Sequence, residues 1–205
     1  MALFIPTYFA PISQYVAILN SEEVIFEVED NFQKQTYRNR CYIYGANGKQ
    51  LINIPVKHNT SEGRKKTKDT LVENDFPWQN QHFKSLQTAY RSSPYFEFFE
   101  DDLAIIFKKK YKYLVDVNID THLFITDALQ LTQNFNKTNT YELTPNMQDY
   151  RNLAIAKNGV SINIPSYIQM FDDKHGFIPN LSILDLLFME GGNTSSILET
   201  VSLNF

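Results

Sequence analysis

Two arginines and an amide stand side by side in "YRNR", Tyr37 to Arg40, immediately before the apolar-aromatic run "CYIYG". Guanidinium groups present forks of N–H donors that match a carboxylate or a phosphate, so Arg38, Asn39 and Arg40 suit a small anion. Strand alternation through 38–40 would aim both arginines at one face. A different run ends upstream in "VED", and its Asp30 is a candidate proton acceptor, or alternatively the neutralising partner of one arginine. His82 is a second candidate acceptor. A third group lies in "PTYFAPISQY", where Tyr8, Gln14 and Tyr15 offer hydroxyl and amide groups between a first strand and the helix after it, where open α/β sheets take ligands. Near the other end, Asp172, Asp173 and His175 in "FDDKHG" are either an acid-base group or a turn. Asp185, on an otherwise apolar helix, would need a partner if buried, plausibly an arginine.

Other chemistries lack their residues. The four histidines (His58, His82, His122, His175) have no short paired spacing, and one cysteine cannot build a thiolate metal site. No GxSxG, Walker or GxGxxG segment occurs. Cys41, inside an apolar strand pattern, reads as a small core residue rather than a nucleophile. The residues name no cofactor.

The elements that must carry these groups follow from periodicity and turn chemistry. "ALFI" is a short first strand. "PISQYVAILNS" is a helix with proline in its first turn, and "EEVIFEVED" is a second strand. "CYIYG", "ANGK" and "QLINIPV" predict a hairpin. "HNTSEGRKKTKD" reads as a mobile polar loop tip, with an anion-facing lid as the alternative, and "TKDTLVEN" as a further strand. Trp78, His82, Leu86, Ala89 and Tyr90 share one helical face. A second helix is expected from Ser93 and Pro94 as cap and first residue, its Lys108–Lys110 run complementing the helix dipole, and a third from near Asn118 or Asp120. "SILDLLFMEGG" is a helix capped by Ser182 and stopped by glycine. Strands before and between helices predict an α/β layered sandwich, Rossmann-like, with a mostly parallel or mixed central sheet. The chain reads as one domain over 1–205, with a helical segment at about 78–133 and a less regular part at about 134–205.

The 205 residues are 43% hydrophobic and carry a net charge of −4, which excludes global disorder and argues against a nucleic-acid partner. A lone cysteine and apolar runs too short to span a bilayer suit a soluble, cytoplasmic protein without a membrane span.

Taken together, "YFAPISQY", "ENDFPW", "KQTYRNRCYIYGANGKQLINIPV", "WQNQHFKSLQTAYRSSPYFEFFEDD" and "HGFIPNLSILDLLFMEGG" resemble the WbqC-like protein family, in the short form common in the Bacteroidetes group. The resemblance covers almost the whole chain. It departs at Ala10, where the family signature usually has proline, and at Gly192-Asn193, which replaces the usual Gly-Pro. Some members of the family occur in O-antigen or other surface-polysaccharide gene clusters, which implies sugar-nucleotide chemistry. On that footing the expected reaction is acyl or aminoacyl transfer to a nucleotide-linked amino sugar. Arg38 and Arg40 would hold the anionic donor or diphosphate, and Asn39 and Gln14 would orient the acceptor. Tyr8, Tyr15 and Tyr90 would line the pocket against the sugar, with Asp30 or His82 as base. Two alternatives stay open. One is a binding or scaffold module without catalysis. The other is an ATP-dependent carboxylate-activating or nucleotidyl-transferring enzyme, whose family phosphate loop carries histidines where this chain has Tyr8, Phe9 and Tyr15.

Overall fold

The computed structural model describes residues 1–58, 63–132, 134–157 and 159–204. The chain starts with β1 (Ala2–Phe4), crosses over through α1 (Ile12–Leu19) and returns as β2 (Val24–Phe26), parallel to β1. A hairpin follows, β3 (Arg40–Gly45) with β4 (Gly48–Asn53). Three helices come next: α2 (Trp78–Tyr90), α3 (Phe96–Lys108) and α4 (Leu114–Ala128). β5 (Phe135–Lys137) and β6 (Gln148–Asp149) then join opposite edges of the first pair, giving a four-stranded, all-parallel sheet in the order β5-β2-β1-β6. Last come β7 (Ser161–Asn163), α5 (Asp172–His175), α6 (Ile183–Glu190), α7 (Thr194–Thr200) and β8 (Ser202–Asn204), with β7 and β8 paired antiparallel. The result is an α/β layered sandwich of the Rossmann-like kind.

β1 is apolar on both faces because the sheet is covered on both sides, as parallel sheets require. One hydrophobic cluster reaches from Ala2 to Val201 and takes in the buried face of every long helix. On α2 that face is Trp78, His82, Leu86, Ala89 and Tyr90, the set that the spacing predicts. α6 is capped by Ser182, whose hydroxyl accepts from Leu184 N, and it stops at Gly191 with φ +54°. In the hairpin turn only Gly48 takes positive φ (+90°), and Asn47 does not.

Several boundaries differ from the expectation, each for a tertiary reason. α3 starts at Phe96 rather than beside Ser93, because 91–95 continue as a turn whose Tyr95 N–H donates to Phe188 O. α4 starts at Leu114, pinned where Leu114 N donates to Thr70 O. "TKDTLVEN" is a 3-10 turn (Thr67–Asp69) followed by isolated bridges at Leu71 and Val72. The basic stretch is not a loop tip over 65–68: Phe32 N donates to Lys65 O, Thr67 N to Asp30 O and Lys68 N to Val28 O. That strip runs along the exit of β2 and fixes what faces the sheet's carboxyl edge. The rest of that loop expectation, 59–62, lies outside the described residues.

Candidate functional site

Each strand of the parallel sheet ends toward the same side, and the residues after the strands converge on a cavity of about 930 Å³. Ile5 follows β1, Glu29 and Asp30 follow β2, Tyr141 follows β5, and Arg151 and Asn152 follow β6. The carboxyl edge of an open parallel sheet is where such folds take ligands. Its walls carry five cations against two carboxylates, a net positive lining.

Arg38 reaches this cavity from the turn before β3. Its backbone is fixed from three sides. Tyr37 N donates to Ala154 O at 2.8 Å, Tyr8 N to Tyr37 O at 2.9 Å, and Asn118 Nδ2 donates to both Pro6 O and Arg38 O at 2.9 Å. The guanidinium forms a buried ion pair with Asp30 Oδ2 and donates to Thr36 Oγ1 at 3.2 Å. Asp30 Oδ1 and Arg38 Nε have no partner. Beside them, Glu29 accepts from Lys66 at 2.6 Å and from Lys68 at 2.5 Å, and those hydrogen bonds hold its carboxyl below the ordinary range. Glu27 is fully buried; its Oε1 accepts from Glu29 N and Thr138 Oγ1, while Oε2 lies unpartnered 4.0 Å from Arg151 Nη1. Arg151 is itself held in place by Asp149, which accepts at 2.9 and 2.6 Å, and by the carbonyls of Glu142 and Leu143.

A second cavity of about 720 Å³ adjoins the first, with Phe32, Lys34 and Arg64 lining both. Asn39 and Arg40 stand on its wall, next to the apolar strip Ile54–Val56. Asn39 Nδ2 donates to Asn53 Oδ1 and Ile54 O, each at 2.9 Å, which fixes the amide's orientation because a backbone carbonyl can only accept. Asn39 Oδ1 and Arg40 Nε are left unpartnered. Of the nine buried side-chain polar atoms without a partner among the described residues, four belong to wall residues of these cavities and a fifth to Glu27. Unpartnered buried groups are rare in folded proteins, and their concentration around two connected cavities needs a cause.

The structure divides the sequence candidates into two groups. Asp30 and Arg38 meet in the first cavity, and Asn39 and Arg40 in the second. Arg38 and Arg40 therefore do not face one way: only Arg40 belongs to β3, and a turn interrupts alternation before it. Tyr8, Gln14, Tyr15, Tyr90 and His82 line neither cavity and are packed in the core. Gln14 accepts from Thr7 Oγ1 and donates to Ile5 O. Tyr15 Oη lies 3.2 Å from His122 Nδ1. Tyr8 Oη lies 3.0 Å from His82 Nδ1, and His82 Nε2 lies 3.2 Å from Asn53 O. The carbonyl requires Nε2–H, so Nδ1 accepts from Tyr8 and its lone pair is occupied. Burial lowers His82 to about 4 and keeps the ring neutral. Tyr90 donates to Asp185 Oδ1 at 2.7 Å, and Tyr167 and Gln169 donate to Oδ2 at 2.6 and 2.8 Å. The partner of Asp185 is thus a pair of tyrosines and an amide, not an arginine. Burial pushes the Cys41 thiol far up, so it stays protonated. His175 Nε2 lies 3.0 Å from Ala46 O, where it braces the hairpin turn.

Arg151 and Tyr141 line the first cavity and were not among the sequence candidates, because "YELTPNMQDYRNLAIAKNG" has no periodicity. The one available signal was "QDYR", an acid and an arginine two positions apart, which here form the ion pair that aims Arg151. No group of three or more metal-ligating side chains occurs among the described residues. No helix among them is long and apolar enough to cross a membrane.

The model of the WbqC-like protein family matches residues 6–159 of this chain. The chain belongs to that family. The matched segment holds every wall residue of the two cavities except Ile5. Neither the curated proteins nor the solved structures yield a match.

Proposed function

We propose that the carboxyl-edge cavity binds a nucleotide-linked sugar of bacterial surface-polysaccharide synthesis and that the protein transfers an acyl or aminoacyl group to its amino substituent. The observation that carries this reading is the unpartnered pair Asp30 Oδ1 and Arg38 Nε, buried side by side on a cation-rich wall at the ends of a parallel sheet. Asp30 is held through one oxygen by Arg38, and its other oxygen is buried without a hydrogen-bond partner. In the transfer the sugar amine attacks the acyl carbonyl of an activated donor. The new C–N bond forms as the donor's leaving group departs with its electron pair, and the amine proton passes to Asp30. Arg38 and the other wall cations hold the anionic part of the substrate.

The test is a calorimetric and thermal-shift screen of the whole chain against sugar nucleotides, ATP and acyl-carrier thioesters. A sugar nucleotide at a hundredfold excess over its dissociation constant should stabilise the fold by roughly 2.7 kcal/mol. Asp30→Asn should keep that binding and abolish transfer. Stabilisation by ATP with none from sugar nucleotides would replace this reading with carboxylate activation. Binding without turnover for any acyl donor would leave a binding module.

A further inference from the structure

The second cavity has a chemistry unlike the first. Its floor is the apolar strip Ile54-Pro55-Val56, and Phe32 and Phe76 flank it. Asn39 and Arg40 line that slot, and each carries a buried polar atom without a hydrogen-bond partner, the acceptor Asn39 Oδ1 on a side chain buried to about nine-tenths or more and the donor Arg40 Nε. A slot with apolar faces, lined also by an amide and a guanidinium, fits a planar heterocycle with polar edge atoms. The first cavity offers Asp30, Glu29, Asn152 and Tyr141, carboxylates and an amide with an aromatic face, a set that suits hydroxyl groups. Lys34 and Arg64 stand where the two cavities join, both exposed, and neither forms an ion pair among the described residues.

We infer that the two cavities form one bipartite nucleotide site. The nucleobase occupies the Asn39–Arg40 slot, the diphosphate crosses the Lys34–Arg64 seam, and the sugar lies in the carboxyl-edge cavity against Asp30. This rests on the reading above and adds its polarity and the residues that select the base. Arg40 then recognises the base edge and Arg38 serves the sugar end, so two arginines two positions apart do unlike work.

The test is isothermal titration of the full chain with two partial ligands: the common nucleoside diphosphates, and N-acetylglucosamine 1-phosphate. Arg40→Met and Phe76→Ala should each weaken the preferred nucleoside diphosphate by about tenfold, the effect of one lost charged hydrogen bond or stacking surface, and leave the sugar phosphate unchanged. Asn152→Ala should do the reverse, and Lys34→Ala should weaken both. Phe76 is 61% exposed, so its variant reads binding without disturbing the fold. Nucleoside diphosphate affinity unmoved by both Arg40→Met and Phe76→Ala overturns the inference and leaves the proposed function standing. So does sensitivity of the nucleoside diphosphate to Asn152→Ala. Failure of wild-type protein to bind any nucleoside diphosphate or sugar nucleotide removes both.

Discussion

Asp185 and Asp30 are both buried carboxylates, and their surroundings differ in one respect. Asp185 has both oxygens occupied, by Tyr90 on one side and Tyr167 with Gln169 on the other. Asp30 has one oxygen in an ion pair and one with no partner. The same contrast separates the regions around them. The tyrosine-rich network behind α2 and α6 closes on itself, with Tyr8 to His82 to Asn53 O as a second closed chain. The carboxyl edge is left incomplete. A fully satisfied buried polar network rigidifies a core, whereas unpartnered buried groups are rare and call for an explanation.

That contrast predicts opposite phenotypes. The largest effect is expected from Asp185→Ala, which strands the hydroxyl donors of Tyr90 and Tyr167 in the core. It should cost about 3 kcal/mol or more of stability, read as a lowered urea midpoint. An unchanged midpoint would mean the closed network is not structural. Acid is the next probe. His82 and His122 are both lowered to about 4 by burial, against an unfolded value near 6.5. The unfolded chain therefore binds protons first, so stability is highest above pH 6.5 and falls as the pH drops toward 4. Roughly 3 kcal/mol per histidine is the upper bound. Unfolding free energy measured across pH 4–7 should slope upward with pH, and His122→Gln should reduce the slope. A smaller effect is expected at the hairpin. Gly48→Ala must hold φ +90° and should lose about 1 kcal/mol, checked by thermal melting. The smallest belongs to the open region: Lys34→Ala should leave stability within about 0.5 kcal/mol while weakening nucleotide binding. A variant of the open region that cost several kcal/mol of stability but left nucleotide affinity unchanged would dissolve the distinction.

Much of the fold could be read in advance because its signals are local. Trp78, His82, Leu86, Ala89 and Tyr90 mark a face by spacing alone, and Ser182 with Gly191 bracket α6 by cap chemistry. The parallel sheet follows from strands alternating with helices, although three-residue strands gave little pattern of their own. Of the candidate site, the sequence made legible the stretch around its arginines and Asp30. Asp30, Arg38, Asn39 and Arg40 reach cavity walls, but a turn at 36–39 sends Arg38 and Arg40 to separate cavities, which alternation could not anticipate. The aromatic signature lies in the core, away from both cavities, for a physical reason. Tyr8, Tyr15 and Tyr90 carry polar tips whether they meet a ligand or a histidine, and burial among core partners is decided by tertiary packing that no short stretch encodes. Arg151 was invisible because what aims it is an ion pair at the end of a two-residue strand.

The amide of Asn118 grips the carbonyls of Pro6 and Arg38 with one nitrogen. It works as a rivet through three layers: the strip leaving β1, the approach to β3 and the middle of α4. Loosening it, as in Asn118→Ala, would let the guanidinium drift relative to the sheet edge although residue 118 lines neither cavity. The placement of Arg38 is thus set partly from α4.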